Sequence, residues 1–191
     1  MSQYLVFVGV IVALLGALFY IRDIFRLKTR PNRVTWLMWS IAPLIAFVAE
    51  LAKGVGLAAI PVFMVGFCPL LIFIASFAKN NSYWKLGRFD YLCGLLSGAA
   101  LLFWGITNEP DVAIFFAIAS DGFAALPTVI KSWKYPETES SIAYVTGLFV
   151  ALTSFSALKM WSFAELAFPI YLVIVDIILI GVLWRNKIFA K

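Results

Sequence analysis

The sequence predicts an all-α integral membrane protein of seven transmembrane helices, built as two parallel three-helix repeats joined by a linker helix (3-1-3). Three observations carry that prediction. The chain is 63% hydrophobic with 13% charged residues and has a mean hydropathy of +0.98, too apolar for a water-soluble domain. Its apolar runs are of helix-spanning length and lack the alternation of a barrel strand. One loop-and-helix segment recurs with a fixed offset.

The runs cover residues 4–21, 34–49, 57–77, 91–107, 112–130, 141–158 and 166–184. The first lacks a positive n-region and is longer than a signal h-region, so it is expected to be a retained helix. The second follows the most basic stretch of the chain, "YIRDIFRLKTRPNRVTW", which carries Arg22, Arg26, Lys28, Arg30 and Arg33. Lys53 follows the second run, and Lys79, Lys85 and Arg88 follow the third. The gap between runs four and five has no cation. Lys131 and Lys134 follow the fifth run, Lys159 the sixth, and Arg185, Lys187 and Lys191 the seventh. Rich and poor gaps alternate. The positive-inside rule then puts the N-terminus outside and the C-terminus in the cytoplasm, with a bacterial inner membrane as the expected location. Orientation and attraction to anionic headgroups account for the basic stretch.

Aligning Pro31 with Pro136 sets "RDIFRLKTRPNRVTWLMW" against "PTVIKSWKYPETESSIAY" without a gap. Each copy finishes a helix, carries cations to a proline, puts a hydroxyl four residues later (Thr35, Ser140) and starts the next helix, a helix-start pattern. The offset spans four helices, an even number, so the copies cross the membrane in the same direction. The expected organisation is a first bundle over residues 1–80, linker helix 4 over 81–108 and a second bundle over 109–191.

The segment "LPTVIKSWKYPETES" resembles the PQ-loop signature: Pro127 with Thr128 in the Gln position, then Lys131 and Thr138-Glu139. In the first copy Arg22-Asp23 stands at the Pro-Gln position. Seven helices in a three-one-three repeat with an outside N-terminus are similar to the PQ-loop and SWEET superfamily. "WLMW" resembles the Trp-x-x-Trp of PnuC-type vitamin carriers. What the resemblance implies is a carrier of a small solute such as a sugar, an amino acid or a vitamin, by facilitated diffusion or proton coupling. Some proteins of this fold are receptors, which bind a small ligand without translocating it.

Ionisable groups inside spans are rare and are functional candidates. Asp121, beside Ser120 and Gly122, lies near the middle of helix 5, and Asp176 near the middle of helix 7. The bland alternative for each is a static interhelix hydrogen bond. In a chain without histidine, they are the expected proton-coupling groups. Trp36 and Trp39 share one face of helix 2 and align with Ser141 and Tyr144 on helix 6. Such an aromatic face can stack on a sugar, a nucleoside or a cation. Trp36, close to a helix end, is instead expected to be an interfacial anchor. The expected substrate-binding set is therefore Trp39, Ser120, Asp121, Tyr144 and Asp176, with Pro127 as a hinge.

Asp90 is expected to cap helix 4, and Asp23 and Glu50 to form interfacial pairs with Arg22 and Lys53. Cys68 and Cys93 lie in apolar runs without CxxC spacing and read as buried small hydrophobes. No metal or cofactor is expected. The expected partners are a small solute and the bilayer, with homo-oligomerisation left open. Cations confined to interhelix gaps make no nucleic-acid face. No HExxH, GxSxG or dense acidic cluster suggests an enzyme, and helix 7 offers no lysine within its span for a retinal Schiff base.

Overall fold

The structure is a computed structural model in which residues 2–52, 60–78, 83–107, 110–157 and 162–188 are described. Among these residues there are seven α-helices and no strand: α1 (Ser2–Phe25), α2 (Arg33–Ala52), α3 (Ile60–Ala75), α4 (Arg88–Ile106), α5 (Pro110–Lys134), α6 (Ile142–Ser154) and α7 (Phe163–Ile188). Each overlaps one of the seven apolar runs. Four stretches are long and apolar enough to cross a membrane: Leu5–Phe25, Arg88–Ile106, Ile114–Lys134 and Leu166–Arg185. The apolar stretches Arg33–Val48, Ile60–Ala75 and Ile142–Ser154 are shorter. On α1 the outward residues Leu5, Val8, Ile11, Leu15 and Leu18 are exposed, an apolar stripe that suits hydrocarbon rather than water. The Lys53 partner of Glu50 lies outside the described residues.

Side-by-side contacts run from α1 to α3, α2, α5, α7, α6 and back to α1, so six helices close a ring. Helix α4 stands outside it, against α5 and α2. Small residues permit the tightest crossing. A Cβ built at Gly16 of α1 would lie 2.0 Å from Thr146 Oγ1 and 2.8 Å from its Cβ on α6, so the two backbones meet there by lacking side-chain bulk. Gly16→Ala is expected to lower stability by about 1–3 kcal/mol, the usual range for overpacking. Gly98→Ala, where nothing stands within 4 Å, serves as control. Thermal unfolding in detergent compares the two, and equal midpoints would contradict the close crossing.

Helix α1 continues past the expected end at residue 21 and stops in a Schellman arrangement. The Leu27 amide donates to Ile24 O (2.9 Å) and the Lys28 amide to Asp23 O (2.9 Å), with Leu27 at φ 57° where glycine is usual. Helix α2 is capped by Asn32, whose Oδ1 accepts from the Val34 (3.0 Å) and Thr35 (3.3 Å) amides, as an N-cap should. The Asn32 amide also donates to Asp90 Oδ1 at 2.6 Å. Asp90 Oδ2 in turn accepts from the Gly87 amide at 2.6 Å, so Asp90 caps α4 as expected and fastens it to α2.

The two repeat hydroxyls do not act as helix caps; both reach across the ring instead. Ser140 Oγ donates to Asp23 Oδ2 at 2.9 Å, and Thr128 Oγ1 donates to Thr35 Oγ1 at 2.9 Å. Under the Pro31/Pro136 alignment Asp23 corresponds to Thr128 and Ser140 to Thr35, so these bonds are reciprocal.

Trp36 overturns the anchor expectation. It is 3% exposed and sits in the core with Tyr20, Trp39 and Tyr144, its ring centroid 4.9, 5.3 and 6.3 Å from theirs. The reason is rotational: its face of α2 points into the ring rather than outward. Nor is the basic stretch simply solvated. The Arg33 guanidinium lies between the Phe77 and Tyr83 rings, 3.7 Å from each centroid, and donates to Ser76 Oγ (3.0 Å) and O (2.8 Å).

Candidate functional site

Inside the ring is a cavity of about 180 Å³. Alanines 13 and 17 of α1, three residues of α2, five of α3, Asp121 of α5, six of α6 and four of α7 line it, with none from α4. Trp36, Trp39 and Tyr144 form the end of the cavity toward the basic loops. Trp39 and Tyr144, equivalent in the repeat, meet edge to face with centroids 6.4 Å apart.

Asp121 is brought into the cavity by α5 and held there from two neighbours. The Tyr171 hydroxyl of α7 donates to Asp121 Oδ2 at 2.8 Å, and the Trp39 indole of α2 donates to Asp121 O at 3.3 Å. Asp176 lines the same cavity from α7. A Cβ at Gly147 of α6 would meet Asp176 Oδ2 at 2.8 Å, so the missing side chain makes room for the carboxylate. Among the described residues, none donates a hydrogen bond to Asp176.

The cavity thus gathers Trp39, Asp121, Tyr144 and Asp176 from four different helices. Ser120 is turned away from it. Its hydroxyl pairs with Ser97 of α4 at 3.1 Å, and it is not among the lining residues. Pro127 is buried within a continuous α5. Lacking an N–H, it leaves the Phe123 carbonyl without its helical donor. The adjacent Ala124 carbonyl receives the Thr35 hydroxyl at 2.7 Å, so α2 braces α5 at that break.

Toward the basic loops the aromatic end of the cavity is backed by a buried polar layer. Lys131 and Glu139 form an ion pair with side chains 1% and 0% exposed. The Lys131 ammonium also donates to the Arg30 carbonyl, and the Tyr20 hydroxyl donates to Glu139 Oε1. Thr29 Oγ1 lies 3.3 Å from Tyr20 Oη and 3.2 Å from Thr138 O. The Arg30 amide donates to Thr138 O at 2.8 Å. A charge pair without water is tolerable only with such a full set of partners.

Sequence reasoning missed Tyr171 and the Tyr20–Glu139–Lys131 layer. For Tyr171 the available signal was a phenol within the apolar run that carries Asp176. For Glu139 it was an acid just before an apolar helix, which reads equally well as a solvated helix-start residue.

Cys68 and Cys93 are both free and buried, and Cys68 also lines the cavity. No three Cys, Asp or Glu side chains among the described residues stand together as a metal site would require. No family model, curated protein or solved structure matches this chain.

Proposed function

We propose that this protein is an integral membrane carrier of a small solute, of bacterial inner-membrane type, working by alternating access between two three-helix bundles. One observation carries the reading: all six ring helices contribute to the cavity and α4 does not. A site assembled from both bundles is remade whenever they rock against each other, which is how carriers with parallel repeats expose one site to two sides.

Two further features support the division into residues 1–80, 81–108 and 109–191. The order of helices around the ring is unchanged when α1, α2 and α3 are exchanged for α5, α6 and α7. The Asp23–Ser140 and Thr128–Thr35 bonds exchange in the same way. With the basic loops on the cytoplasmic side and the N-terminus outside, the Lys131–Glu139 layer is the inner closure. Opening inward requires the two loops to part at that layer, with α5 flexing at Pro127. Asp121 and Asp176 are the carboxylates lining the cavity, so a proton-coupled cycle would run through one of them.

Reconstitution into liposomes tests the reading. Purified protein should exchange a solute that it binds across the bilayer. Binding without counterflow would exclude the carrier and leave a receptor on the same scaffold.

A further inference from the structure

The transporter reading leaves open what the cavity takes, and its chemistry is one-sided. Among the described residues, two carboxylates and four aromatic rings line it, and no lysine or arginine does. The nearby buried cation, Lys131, is already committed to Glu139 and to the Arg30 carbonyl. Asp176 has no donor among the described residues, and Gly147 keeps the space beside its oxygens clear. A part-buried carboxylate without a partner is costly, and among the described residues no cation reaches it.

The neutral alternatives fit poorly. A polyhydroxyl solute must exchange its waters for several hydrogen-bond partners, or each unpaired hydroxyl is penalised. Here the Thr146 hydroxyl is turned back onto the Ile142 and Ala143 carbonyls at 2.9 and 3.0 Å, and most of the remaining lining is aliphatic, Phe or Pro. An anion would face both carboxylates. An ammonium, by contrast, is attracted by the negative faces of Trp36, Trp39 and Tyr144 as well as by the acids.

We propose that the cavity binds a small organic cation, a substituted ammonium, between the Trp36–Trp39–Tyr144 aromatic end and the Asp121 and Asp176 carboxylates. The volume, about 180 Å³, compares with the roughly 150 Å³ of an engineered cavity that holds benzene, so the occupant has on the order of seven non-hydrogen atoms. This deepens the carrier reading and rests on it for the direction of use, but not for binding.

The test compares choline with 3,3-dimethylbutan-1-ol, its uncharged isostere, by tryptophan fluorescence titration of the full-length protein. Choline is expected to bind at least about tenfold more tightly, the effect of a desolvated cation–π and charge contact. Asp176→Asn, which keeps the shape, should erase most of that preference. Equal affinities, or an unchanged preference in Asp176→Asn and Asp121→Asn alike, would overturn the proposal.

Cys68 supplies a second readout that needs no ligand affinity. In a Cys93→Ser background, an ethylammonium methanethiosulfonate should label Cys68 faster than its ethylsulfonate counterpart, after normalisation to a free thiol. Faster anionic labelling would count against a cation site. Choline preference without choline counterflow in liposomes leaves the cation site standing and removes the carrier. Counterflow of neutral solutes without any cation preference does the reverse.

Discussion

Glu139→Gln is expected to lose about 3–5 kcal/mol of stability, because it leaves the Lys131 ammonium buried without its counter-charge. Both side chains are almost wholly enclosed, so water cannot substitute. The expected result is a large drop in the thermal unfolding midpoint in detergent. The double variant Lys131→Met/Glu139→Leu removes both charges together and should recover most of the loss, since apolar replacement of a buried pair is often neutral or stabilising. Tyr20 keeps Thr29 as a neighbour in that variant. A single variant that melts like the wild type would mean that the pair is hydrated. A double variant as unstable as the single one would shift the stabilisation to the Tyr20 and Thr29 contacts.

Asp121→Asn is expected to abolish the pH dependence of transport while leaving the fold intact and counterflow measurable at raised substrate concentration. Asn matches the carboxylate in shape and its amide oxygen can still accept from Tyr171, so stability should change by no more than about 1 kcal/mol. Exchange between two solute pools requires no net proton movement, whereas coupled flux does. The measurement is solute uptake into liposomes at several pH values beside counterflow at one. An undiminished pH dependence in Asp121→Asn transfers the coupling role to Asp176, or removes coupling from the cycle if Asp176→Asn behaves in the same way.

What could be read from the sequence was what depends on local composition. Seven helices were legible because the length of an apolar run is a local property, and the acids within apolar runs stood out because ionisable groups are rare in such runs. Helix ends were less legible. Helix α5 runs to Lys134, past the expected end at residue 130, because Lys131 has its charge met by Glu139 and need not reach solvent. The Lys131–Glu139 pair itself is eight residues apart across a proline turn, a spacing that no helical or strand period brings together. The orientation of Trp36 was hidden for a related reason. Depth along a helix can be counted from residues, but which way a side chain points around it depends on neighbours more than a hundred residues away. The place of Ser120 beside Asp121 suggests a site residue, yet adjacent helical residues face different directions, and it pairs with α4.

The long reach of these bonds bears on how the protein is made. Apart from the Thr29–Tyr20 contact, the partners of Tyr20, Thr29 and Thr35 lie beyond residue 123: Glu139, Thr138, Ala124 and Thr128. On the proposed membrane reading, when the first three helices insert, those hydroxyls have no partner of their own half across the ring. They must be carried by water, lipid headgroups or an insertase until the second loop is translated. The decisive assembly step would then follow insertion, after Glu139 has left the ribosome. On that reading, a nascent chain arrested before that residue would be a half with an unsatisfied face, the form on which membrane quality control would act.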